Sequence, residues 1–99
     1  MSSNYRLVFL PKAVSDLDSI YAYIAGELKN VKAASDLADK FEKAFDLLMQ
    51  FPLSCPVAKT EPSYRKLLVD NYIAFYKVSE GTVTVFRVLY GMMNFDKYL

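Results

Sequence analysis

The chain reads as an α+β fold: one N-terminal strand, a hairpin of two helices, then a three-stranded antiparallel meander, with the helices packed on one face of the sheet. Three observations predict it. A run of strand formers near the N-terminus is cut off by Pro11; two successive stretches repeat apolar residues every three and four positions; and the C-terminal part alternates short apolar runs with turn-forming pairs. A length of 99 residues is the size of one domain, so a single unit spanning residues 1–99 is expected.

The first strand is Tyr5-Arg6-Leu7-Val8-Phe9-Leu10, and Pro11 pre-sets the first turn of a helix directly after it. In that helix Ala13, Leu17, Ile20, Tyr21 and Ile24 share a face, while Asp16, Asp18 and Ser19 lie off it. Gly26 stands close enough to the end of the helix to help break it, residues 26–30 make the loop, and Asn30 is the N-cap of the second helix. From Val31 to Phe51 the series Ala34, Leu37, Ala38, Phe41, Ala44, Phe45, Leu48 marks this longer amphipathic helix, closed by Pro52. Its charged residues, Asp36, Asp39, Lys40, Glu42, Lys43 and Asp46, read as a solvated face. Pro52 to Pro62 is a connecting loop over the sheet edge. Strands come next at about 64–69, 72–78 and 83–89, joined by the turn pairs Asp70-Asn71 and Glu80-Gly81. Strand order is not derivable from this pattern.

Composition narrows the function classes. The formal charge is +1, with six basic and seven acidic residues over 1–56 and six against four over 57–99, so any nucleic-acid contact should be local rather than that of a general polyanion binder. There is no histidine and one cysteine, Cys55, which leaves no internal disulfide and makes a metal centre or metal cofactor an unexpected reading. Cys55 is most simply a small buried filler. The apolar run at Leu7–Leu10 is too short for a membrane span, no signal peptide is visible, and a cytoplasmic location is expected. Hydrophobic residues make up 54% of the chain, which fits either a surface that meets a partner, including a second copy in a homodimer, or a well-filled small core.

The candidate functional residues lie in the meander. Strict alternation places Val83, Val85, Arg87 and Leu89 on one face of the last strand and Thr84, Phe86, Val88 and Tyr90 on the other. Arg87 is the odd member of its face. It must meet a carboxylate, with Asp16 or Asp18 on the first helix as the structural choice, or point at an anionic ligand. Arg65 and Lys66 are adjacent and project to opposite faces, so only one can join a given site. Together with Lys77, Arg87 and Tyr90 they offer cations for a phosphate and an aromatic ring to stack a base. The plainer reading of Tyr64, Tyr72 and Tyr76 is that of amphipathic strand residues with hydroxyls at the rim of the core.

The strings Tyr64-Arg65-Lys66-Leu67-Leu68, Asn71-Tyr72-Ile73-Ala74-Phe75-Tyr76 and Phe86-Arg87-Val88-Leu89-Tyr90-Gly91, preceded by one strand and two amphipathic helices, resemble the RelE/ParE superfamily of bacterial type II toxins over nearly the whole chain. RelE-like members look like ribosome-dependent mRNA endonucleases that hold and cleave RNA with clustered basic residues and a C-terminal tyrosine or histidine. The matching positions here would be Arg65, Arg87 and Tyr90, as catalytic residues. A RelE-like Tyr-Arg pair is replaced by Tyr72-Ile73, and Gly91 is followed by Met92-Met93-Asn94, without the expected cation. The long helical hairpin and these missing charges resemble the ParE branch, whose members inhibit DNA gyrase by binding. The resemblance therefore implies an enzyme on the RelE reading and a binding protein on the ParE reading. A third reading is an inactive homologue serving as an interaction domain. It further implies a cognate antitoxin as partner, DNA gyrase or the ribosome and its mRNA as target, and no cofactor. The closing segment, Asn94 to Leu99, would either pack Phe95 and Leu99 on the sheet or reach toward the target.

Overall fold

A computed structural model of the protein describes residues 5–57 and 64–91. In chain order it contains β1 (Arg6–Phe9), α1 (Pro11–Ala22), a π-helical turn (Tyr23–Glu27), α2 (Val31–Gln50), β2 (Arg65–Val69), β3 (Tyr72–Ser79) and β4 (Thr82–Tyr90). The expected α+β architecture is present, with the strands in one sheet of order β1-β4-β3-β2. The chain's first strand thus lies beside its last. β1 pairs parallel with β4, from Arg6 opposite Thr82 to Phe9 opposite Val85, and β2, β3 and β4 form the antiparallel meander.

Pro11 occupies the start of α1, where its missing N–H costs nothing, and the Leu10 amide donates to the Val85 carbonyl to finish the β1 ladder. α1 itself ends at Ala22, and the helical backbone continues as a π turn that ends at Glu27, one residue beyond Gly26. The chain reverses at Lys29, whose φ is 50°. Asn30 caps α2 as expected, its side-chain oxygen accepting from the Ala33 amide at 3.0 Å. In the second hairpin turn, Glu80 and Gly81 take φ of 47° and 76°, the pair of positive values that a tight I′-type turn requires.

The apolar stripes of both helices meet one sheet face. Ala13 of α1 and Leu37, Phe41, Phe45 and Leu48 of α2 pack with Val69, Ala74, Tyr76, Val83, Val85 and Val88. Rings thread this layer: Phe41 lies 6.0 Å from Phe45 and 6.2 Å from Tyr72, and Phe45 meets Phe9 edge-on at 5.0 Å. A second cluster, Tyr64, Ile73, Phe75 and Leu89 with Phe86 against it, occupies the other face. Phe86 and Leu89 lie on that face while Val83, Val85 and Val88 lie on the helix face, so strict alternation along β4 fails. The cause is a β-bulge. Tyr76 is opposite Val85 but Phe75 is opposite Arg87, which leaves Phe86 as the extra residue and reverses the phase of everything after it.

Pro56 and Val57, in the chain after α2, lie along the outer side of β2. The Lys66 amide donates to the Pro56 carbonyl at 2.9 Å, and Val57 bridges to Arg65. Cys55, expected to be buried, is half-buried here. Tyr76 departs from the expected rim position too: it is fully buried and donates its hydroxyl to the Pro52 carbonyl at 2.8 Å. Burial, followed by the hydrogen bond and charge of the Cys55 thiol, pushes its pKa well above the ordinary 10.0. A folded-state pKa raised above the unfolded one contributes stability that is whole below about pH 10 and is lost as pH climbs through the alkaline range. Urea midpoints should therefore fall above pH 10, and less steeply in Tyr76→Phe than in the parent.

Candidate target-binding surface and the fate of the basic residues

The five residues singled out in the meander do not converge on one site. Beyond Phe9, β4 has no strand neighbour on its β1 side among the described residues, and Asp16 of α1 takes that place. Its carboxylate accepts from Arg87 Nε at 2.7 Å, from Arg87 Nη2 at 2.8 Å and from the Val88 amide at 2.9 Å. Both side chains are largely shielded, at 17% and 15% exposure. The bidentate pair plus a backbone donor closes the end of the ladder and fastens α1 to β4. The acid was visible in the sequence as one of two choices. Of the two, Asp16 is the one whose carboxylate also reaches the Val88 amide.

Tyr90 sits elsewhere, on the helix face, with its ring 5.8 Å from Tyr72 in an edge-on arrangement. With Ser19, Ile20, Tyr23 and Tyr72 it lines a cleft of about 480 Å³ beside the π turn. Burial, then the nearby Tyr90, Tyr23 and Asp70, raises the Tyr72 pKa. Lys66 projects to the face away from the helices, in the row of Phe75.

Arg65 and Lys77 border the same end of the sheet but from opposite faces, Arg65 in the row of Tyr76 and Lys77 on the rings of Tyr64 and Phe86. They line one cavity of about 330 Å³ with Leu53, Val57, Tyr64, Tyr76 and Val78. Arg65 donates from Nη1 to the Cys55 carbonyl at 2.7 Å and, more weakly, to the Leu53 carbonyl at 3.4 Å, holding the loop against the sheet. The Lys77 ammonium lies 4.8 Å from the Tyr64 ring centre and 5.6 Å from that of Phe86, rings that themselves meet edge-on at 5.1 Å. Tyr64 is therefore a support for Lys77, a role that alternation alone does not disclose. Among the described residues no group of three or more Cys, Asp or Glu is placed to hold a metal, and no helix is long and apolar enough to cross a membrane.

A four-stranded sheet with a helical hairpin on one face, its first strand parallel to its last, is the architecture of the RelE/ParE class of toxins. The solved structure described as the chromosomal ParDE TA system from P. aeruginosa superposes with a TM-score of 0.74 at 22% identity, covering 90% of this chain and 98% of that one. Toxin ParE1 from two strains of Mycobacterium tuberculosis is 32% identical over 101 residues, across the full length of both proteins. The family model described as the ParE toxin of type II toxin-antitoxin system, parDE, matches residues 7–95. The chain belongs to this ParE toxin family.

Proposed function

We propose that this toxin arrests bacterial growth by binding DNA gyrase rather than by cutting RNA, and that a cognate antitoxin in the same cytoplasm silences it. The observation that carries the reading is the state of Arg87. Its charge is matched by Asp16 at 2.7 Å, so a phosphate approaching it meets a carboxylate as well as a guanidinium. A transition-state clamp on a pentavalent phosphate needs several cations aimed at one point. Arg65, Lys66, Arg87 and Tyr90, the residues that would form it, are divided between the two sheet faces and the β4 edge. Binding without hydrolysis is what this arrangement supports.

Two surfaces suit an antitoxin. Leu47, Phe51 and Leu53 are more than half exposed at the end of α2 and just after it, and can receive the apolar side of a helix. Leu68, 67% exposed, lies on β2 beyond Arg65 and Lys66, where Pro56 and Val57 already pair, and marks the stretch of that edge suited to an added strand. The test is gyrase supercoiling with purified full-length toxin, alongside translation and mRNA integrity in cells at early times. Supercoiling should stop while mRNA stays intact. Cleaved mRNA with unaffected supercoiling would establish the nuclease reading instead, and undisturbed growth would leave only an interaction domain.

A further inference from the structure

Tyr72 and Tyr90 stand opposite each other in the β3–β4 ladder on the helix face, their ring centres 5.8 Å apart and their planes at 64°, so the two rings form a corner. Ser19 and Ile20 of α1 and Tyr23, which opens the π turn, complete the walls of the cleft. Tyr23 and Tyr90 are 55% and 44% exposed, so much of both rings is offered to a ligand rather than used in the core. No charged residue lines the cleft among the described residues, and its polar side chains are all hydroxyls. After burial, the Tyr90 and Tyr23 phenols and the Asp70 carboxylate are what raise the Tyr72 pKa, so these groups lie within electrostatic reach of one another; Asp70 shares its charge with Lys40 at 3.0 Å. Ring faces and phenol oxygens gathered around one space give it a negative potential, and the ligand that gains from both is a cation.

We propose that this cleft is a cage for one arginine side chain presented by a protein partner. A guanidinium is flat, stacks on tyrosine and carries donors for the phenol oxygens, whereas an ammonium holds its water more tightly. The neighbouring backbone favours a protein over a free cation. β4 has no strand neighbour beyond Phe9 among the described residues, and Asp16 takes the Val88 amide. The Gly91 amide donates to the Asn71 carbonyl at 2.7 Å, so Gly91 faces β3 and, by alternation, the amide and carbonyl of Tyr90 face the open edge. An extended segment lying there bonds to the backbone at Tyr90 while its arginine enters between the rings. On the function proposed above that segment belongs to the antitoxin. The proposal rests on that reading for the partner's identity, and the cage itself can be tested without antitoxin or gyrase.

The experiment is an NMR titration of the full-length chain with N-acetyl-arginine N-methylamide and with its neutral, near-isosteric citrulline counterpart. The arginine probe should shift the ring signals of Tyr23, Tyr72 and Tyr90 saturably, and its own methylene signals should move upfield as they pass over the ring faces, while the citrulline probe should do neither. Tyr23→Leu keeps apolar bulk at an exposed position and removes one ring, so it should weaken binding about two- to fivefold, the worth of one exposed cation–π contact. Tyr23→Phe retains the ring and should lose less. Equal shifts with the citrulline probe, no shifts with either probe, or undiminished affinity in Tyr23→Leu would each overturn the proposal. Because the readout is local to the cleft, these failures are distinguishable from a toxin that leaves gyrase untouched.

Discussion

Replacing Asp16 by alanine should lower folding stability by about 3–5 kcal/mol, the cost of stranding one member of a shielded ion pair. A small domain has only about 5–15 kcal/mol in total, so this loss is a large part of it. The loss has two sources, the Asp16 charge taken from the Arg87 guanidinium and the 2.9 Å acceptor taken from the Val88 amide. Further variants separate them. Asp16→Asn retains an acceptor for Val88 and should recover part of the loss, while Asp16→Leu combined with Arg87→Met removes both charges and should cost less than Asp16→Ala alone. Denaturant melts of the set measure this; a double variant as unstable as Asp16→Ala would show that the amide, not the charge, dominates.

Phe41→Ala is the second large loss expected, about 3–5 kcal/mol from lost burial and the cavity left behind. Phe41 is 2% exposed and contacts rings from three directions: Tyr21 of α1 at 6.3 Å, Phe45 of its own helix, and Tyr72 of β3. The hole would open between both helices and the sheet, where no single side chain can move in to fill it. Phe41→Leu should recover about half of the deficit. A loss below about 1 kcal/mol in equilibrium unfolding would mean that the layer collapses around the gap.

The helices and the two hairpins were legible because their signals are local. The spacing of Leu37, Phe41, Phe45 and Leu48 defines one stripe, and Asp70-Asn71 and Glu80-Gly81 stand where the strands must reverse. The bulge at Phe86 was not legible, since one additional residue in a strand leaves the composition unchanged and is decided by twist and by what packs on each face. That residue governs the reading of the whole site: with strict alternation Arg87 shares a face with Val85, and with the bulge it lies opposite Phe75 and bonds to α1 at the β4 edge. Strand order was out of reach for a related reason, because pairing between β1 and β4 joins segments with no local signal for each other. Of the candidate cations, the opposed directions of Arg65 and Lys66 could be read from their adjacency. The loop carbonyls that hold Arg65 and the rings beneath Lys77 could not, as they depend on where the loop after Pro52 crosses the sheet. The expectations for Met92 to Asn94 and for the segment ending at Leu99 fall outside the described residues.

The pairing of β1 with β4 sets an order of events during synthesis. β1 has no strand to join until Thr82–Val85 has been made, and Asp16 waits for a partner 71 residues further along the chain. β1 emerges early yet stays without a strand to pair with for most of translation, and the closing contact carries a large loop-closure entropy. The finished sheet thus becomes available only once β4 is clear of the exit tunnel. On the function proposed above, the fragments of an interrupted synthesis lack the complete four-stranded sheet that the finished molecule presents.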